Sequence, residues 1–189
     1  MVRPVTSADS AALAGAMARA FADDPVTLYA HPSPRTPERR LRFFFSGRLQ
    51  SLVGEELSWC DEARAGAALW APPDRWKAPL REDVRLLRLA NRRSLSLLRG
   101  MRRIEQAHPA RPHLYLSALG VEPSAQGRGL GSRLLGPGLE RCDREGIGAY
   151  LESSKKDNLT FYARHGFRVT GEVRFPGGPP LWLMWRDPR

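Results

Sequence analysis

The stretch Gln126-Gly127-Arg128-Gly129-Leu130-Gly131 has residue types and spacing that suit a chemical task. It follows an apolar, strand-like run and opens onto a segment whose apolar residues (Leu134, Leu135, Leu139, Cys142) recur at helical spacing. The first backbone N–H groups of such a helix lack intrahelical partners and sit at the positive end of its dipole, which together make a site for a phosphate-type anion. Glycine at 127, 129 and 131 removes the side chains that would hold an anion away from the backbone. The bend is therefore expected to hold a pyrophosphate.

Three glycine-loop chemistries compete for it. A GxxxxGK[ST] phosphate loop is excluded because no Lys stands near. A dinucleotide fingerprint takes Gly127 and Gly129 as its first glycines, with Glu152 as a ribose-binding acid at the end of the next strand, but Ser132 occupies the third glycine position. The third pattern is Q-x-x-G-x-[GA], met by Gln126, Gly129 and Gly131.

The elements around the bend read as a mixed sheet. Residues 1–5 suggest a short strand, and Thr6-x-x-Asp9 a capping box opening a helix to about Phe21, stopped by Pro25. A second helix is expected over 38–52 and a hairpin from 57–60 and 65–70. Residues 75–103, with nine Arg and one Lys against Glu82 and Asp83, form a basic amphipathic segment broken at Gly100. Its apolar positions include Leu80, Val84, Leu87, Leu95, Leu98 and Met101, so it reads as a solvated helix covering a sheet. Past the bend, Pro137 is expected to kink the helix. A strand at 149–153, a short helix at 158–165 closed by Gly166, and two strands at 167–175 and 181–185 complete the chain. The fold class is α/β, an α+β mixed sheet with early antiparallel pairing and one crossover after the bend.

Composition bounds the answer without choosing it. A chain of 189 residues, 42% hydrophobic and 26% charged, suits one soluble domain over residues 1–189. A net charge of +10 favours anionic ligands of any kind. Cys60 and Cys142 lie far apart, and the four histidines form no ligand cluster, so no metal is expected. No apolar run is long enough for a bilayer and no signal peptide is evident, so a cytoplasmic location is expected.

The Gln126–Gly131 pattern does not stand alone. With the strand Ala118-Leu119-Gly120-Val121, the strand Tyr150-Leu151-Glu152-Ser153-Ser154, and the run from Asn158 through Tyr162 to Gly166-Phe167, the chain resembles the GNAT superfamily of N-acetyltransferases over nearly its whole length. The resemblance implies a central, mostly antiparallel sheet, flanked by helices, that splays between the strand ending near Val121 and that at 149–153. Pantetheine would lie in the splay against the backbone of Leu119, Gly120 and Val121. The pyrophosphate would sit on the bend formed by Gln126, Gly127, Arg128, Gly129, Leu130, Gly131 and Ser132, with Arg128 and Arg133 adding charge. Asn158 would bind the cofactor or cap its helix.

The implied reaction is direct attack of a primary amine on the acetyl carbonyl of acetyl-CoA. Tyr162 would be the general acid for the departing thiolate. Glu152 leads as general base, acting through water, ahead of Glu122 and Asp24. Neither cysteine is set as a nucleophile, and Cys142 is assigned to the core. The implied partners are acetyl-CoA and an amine acceptor, with homodimer formation an option, and neither a membrane nor nucleic acid. The acceptor would be set by segments 22–37, 71–111 and 175–181; the first, with Asp23, Asp24, Tyr29 and His31, suits a cation, and the second an anion, so no substrate follows. Alternative readings are an acetyl-CoA-responsive module without turnover, a dinucleotide-binding protein, and a basic nucleic-acid binder.

Overall fold

The computed structural model describes residues 1–30, 37–73, 75–77 and 94–189; His31 and most of the Arg-rich segment, including Leu80, Val84 and Leu87, lie outside the described residues. Among the described residues, seven strands form one sheet in the order β1-β2-β3-β4-β5-β7-β6. They are β1 (Val2–Pro4), β2 (Trp59–Asp61), β3 (Gly66–Ala71), β4 (His113–Val121), β5 (Gly148–Ser153), β6 (Arg168–Arg174) and β7 (Pro180–Arg186). Only β4 and β5 run parallel; every other neighbouring pair is antiparallel. The helices are α1 (Ser10–Ala20), α2 (Pro25–Ala30), α3 (Pro37–Leu52), α4 (Ser94–Ala107), α5 (Leu130–Glu145) and α6 (Asp157–Arg164).

The sheet is covered on both faces. Strand β3 is buried along its length, which its unbroken apolar sequence allows. Its alternation sends Ala68 and Trp70 into the core under α5, while Ala67, Leu69 and Ala71 join the core of α1 and α3. The Thr6–Asp9 box forms as the sequence suggests: the Thr6 N–H and hydroxyl both donate to Asp9, and Arg3 grips the same carboxylate at 2.7 and 2.8 Å. That guanidinium holds the Asp9 carboxyl well below the usual range.

One sequence expectation, a break at Gly100, is corrected. Helix α5 runs through Pro137 and ends where Gly146 takes φ 65°. Gly138 is there for contact, since a Cβ on it would meet Trp70 Cε2 at 2.4 Å. Gly100 likewise lies inside α4 rather than breaking it, because a Cβ there would meet the Phe175 ring at 2.0 Å. In α4 the side chains of Arg99, Arg102 and Arg103 face solvent, but the buried side chain is Leu97, whereas Leu95 of the expected apolar side is 59% exposed. Gly138→Ala should destabilise the protein by about 1–3 kcal/mol through overpacking, read as a lower urea midpoint with an unchanged slope. An unchanged midpoint would mean that the indole shifts without cost.

Candidate active site

The single parallel pairing creates the opening. Strands β4 and β5 pair only at His113–Gly148, Leu114–Ala149 and Tyr115–Tyr150; beyond these β4 pairs with β3, and β5 with β7. The register of β3 and β4 slips at the same level, where Leu69 faces Ala118 and Trp70 faces Leu116. The extra residue, Ser117, accepts a hydrogen bond from Arg48 Nε at 2.7 Å. A bulge of this kind bends its strand, and here it does so where the two strands part.

A cleft of about 400 Å³ lies beyond that point. Of the residues expected at the cofactor, 119–121, 126, 127, 129–132, Asn158 and Tyr162 line it; Arg128 does not, and its carbonyl accepts from Arg133 Nη1 at 3.1 Å. Gly127 and Gly129 both take φ 73°, a left-handed conformation that glycine adopts without strain, and a Cβ on Gly127 would meet nothing within 4 Å. The first α5 bond from the bend is Arg133 N–H to the Gly129 carbonyl at 3.2 Å, so the amides of residues 130–132 have no helical acceptor. The Gln126 side chain donates to the Val121 carbonyl at 2.9 Å, tying the bend to the end of β4. Asn158 lies in the first turn of α6, whose N-cap is Lys156 and not Asn158.

The acidic residues separate by their bonding. Glu122 takes Arg19 Nε on both oxygens at 2.8 and 2.9 Å, and the guanidinium depresses its carboxyl. Asp24 accepts from the N–H groups of Val26 and Thr27 through Oδ1 and from the Ser154 hydroxyl through Oδ2. Both carboxylates are occupied as structural anchors.

Glu152 is different, and it lies outside the cleft in an adjoining cavity of about 340 Å³. Its Oε2 accepts from the Tyr115 hydroxyl at 2.7 Å; its buried Oε1 has no hydrogen-bond partner. Facing Oε1 at 3.7 Å is His108 Nδ1, also buried and unpartnered. The tautomers follow from one fixed end. His113 Nδ1 lies 2.7 Å from the Arg111 carbonyl, which can only accept, so that nitrogen carries the proton. Burial lowers the His113 pKa and keeps the ring neutral, leaving Nε2 to accept from His108 Nε2 at 2.9 Å. His108 Nδ1 and Glu152 Oε1 thus face each other, each without a hydrogen-bond partner.

The sequence pointed to Glu152 but not to His108, His113, Tyr115 or Trp76, which stacks on His108 at 3.5 Å and 15°. His108 and His113 are five apart with no ligand spacing, and only the turn through Pro109 and Pro112 folds them together. Tyr162 is buried, with its ring edge-on to Phe161 and Phe167. Desolvation pushes its phenol upward, so it stays protonated. Cys142 is fully buried with its thiol pushed up to about 12, and Cys60 is buried as well, so neither is a nucleophile. Among the described residues no group of His, Cys, Asp and Glu is arranged to hold a metal.

The fold is thus a splayed mixed sheet with a glycine-bent helix start at the splay. The chain belongs to the acetyltransferase (GNAT) family, which it matches over residues 55–167. It is 36% identical over 77 residues to an uncharacterized N-acetyltransferase of Schizosaccharomyces pombe, covering 39% of this chain and 31% of that protein. It is 34% identical over 67 residues to an acetyltransferase of Agrobacterium fabrum, covering 35% of this chain and 49% of that one. The chain thus matches about a third and a half of the length of these curated relatives. Among solved structures it is similar to a histone acetyltransferase HPA2 and related acetyltransferase from Corynebacterium glutamicum, with 28% identity, a TM-score of 0.75, and coverage of 100% of this chain and 96% of that one. A polyamine N-acetyltransferase of Drosophila melanogaster shares the fold at 19% identity and a TM-score of 0.67 over 99% of each chain.

Proposed function

We propose that residues 1–189 form one acetyltransferase domain that moves the acetyl group of acetyl-CoA to a primary amine by direct attack. The observation that carries this reading is the splay itself: the end of β4 that parts from β5, the left-handed glycines of the bend and the free amides of α5 line one cleft. Extended backbone at 119–121 offers strand-type hydrogen bonds to a pantetheine amide. The bend offers N–H groups and the α5 dipole to a pyrophosphate. Acetyl-CoA supplies the activated carbonyl.

The chain's own groups supply the proton movements. An amine enters as an ammonium, and Glu152, directly or through a water, takes one proton. His108 Nδ1 accepts it across the gap and becomes an imidazolium paired with the carboxylate. The neutral nitrogen then forms its bond to the acetyl carbon as the carbon–sulfur bond breaks, and the sulfur keeps the electron pair. Tyr162 donates to the developing thiolate, and the second proton that the nitrogen sheds as it becomes an amide restores the phenol. The desolvation that raises the phenol raises the proton affinity of the thiolate beside it, so donor and acceptor stay matched. The sum is amide, thiol and one released proton.

Calorimetric titration is expected to show acetyl-CoA binding, and mixing with an amine to release free thiol. No CoA binding, with tight NAD binding in its place, would sink the reading. Binding with no thiol release across a broad amine panel would favour a sensing module.

A further inference from the structure

The cavity around Glu152 adjoins the cofactor cleft, and the two share Phe21 and Asp24 as lining. We propose that this cavity receives the acceptor and selects a primary monoamine with an uncharged, apolar body. The inference rests on the amine-transfer reading above and adds the substrate class.

Three features of the cavity point the same way. Its walls are largely apolar: Phe44 and Phe45 from α3, Leu97, Met101 and Ile104 from α4, and Leu181 from β7. Its volume of about 340 Å³ falls at the small end of ligand sites, roughly 300–1,000 Å³. Among the described residues, its carboxylates leave one buried place for one ammonium. Asp24 is buried but committed to the α2 amides and Ser154, and Glu105 is exposed on α4. Glu152, its side chain 7% exposed, is the lining carboxylate among these residues with a buried oxygen lacking a partner.

Among the described residues the remaining charged groups on the lining are Arg48 and Lys77, both cationic. Away from the exposed Glu105, a second ammonium on the acceptor would meet these cations or the apolar walls, where its desolvation is costly. A peptide would bring backbone N–H and C=O groups against side chains that cannot pair with them. An aliphatic or aromatic body does neither. Trp76 and His108, stacked on one another, add a flat apolar surface beside the carboxylate. The amine nitrogen is thus drawn to the partnerless oxygen of Glu152, while the body rests between α3 and α4.

The test uses the full chain with saturating acetyl-CoA and thiol release as readout, with 2-phenylethylamine, n-hexylamine, putrescine, spermidine and a lysine-containing peptide as acceptors. The expected kcat/KM for the first two is at least about tenfold above the rest, the scale on which a hydrophobic pocket discriminates. Equal or higher values for putrescine, spermidine or the peptide overturn the apolar-body assignment and leave amine acetylation standing. No turnover of any amine by protein that binds acetyl-CoA overturns the amine-transfer reading, and this inference with it. The variant Ile104→Glu places a carboxylate on the α4 wall. It is expected to raise KM for 2-phenylethylamine by about tenfold and to narrow the gap to putrescine. An unchanged KM and an unchanged ratio would mean that the amine body does not lie on α4. The wild-type panel stands whether or not the variant folds.

Discussion

Glu152→Gln is expected to lower kcat/KM at neutral pH by about 10²–10⁴-fold, the range of a positioned general base, while leaving acetyl-CoA affinity unchanged. The amide keeps the size of the carboxyl, and its oxygen can still accept from the Tyr115 hydroxyl, which donates at 2.7 Å. What is lost is the proton acceptor facing the cavity and the charge that completes a pair with His108, 3.7 Å away. The pH profile separates chemistry from structure. A primary amine with a pKa of about 10.4 is almost wholly protonated at pH 7, and its neutral fraction grows about tenfold per unit below that value. The variant depends on that fraction, so its deficit should shrink steadily from pH 7 toward pH 10. A deficit constant across the range would assign Glu152 a structural role and remove it as the base. His108→Ala should show a milder form of the same narrowing, because it removes the second proton site and keeps the first.

How far this site could be read in advance depended on how local each signal was. The bend was legible because Gln126, Gly129 and Gly131 act through consecutive backbone, and the positive φ of Gly127 and Gly129 answers to residue type alone. The one crossover after the bend was legible, since helix α5 carries the chain from β4 to the parallel β5. The half of the site that handles protons was not. Glu152 stood out as a carboxylate on a strand, but its distinguishing feature is a missing hydrogen bond, which no sequence displays. His108, His113, Tyr115 and Trp76 meet only because α4 ends against the head of β4. Gly100 was misread for a related reason. A glycine inside a helix looks like a break, while here it makes room for an aromatic ring from a distant loop, Phe175.

Tyr162→Phe is expected to lower kcat by about 10²-fold, the lower end for a general acid, with the KM for acetyl-CoA and the melting temperature little changed. The ring's contacts survive the substitution: its edge-on packing with Phe161 at 5.1 Å and Phe167 at 5.8 Å uses carbon alone. Burial holds the phenol protonated, so the wild-type enzyme presents a donor throughout its working pH, and the variant presents none. The loss should appear at the step where sulfur gains charge. A leaving group that tolerates that charge should therefore need the donor less. With acetyl thioesters of increasingly acidic thiols, the ratio of wild-type to variant kcat is expected to fall toward unity. A ratio independent of the thiol would place the hydroxyl's effect elsewhere, in holding the cofactor or the helix α6. Equal turnover with acetyl-CoA itself would end the acid assignment outright.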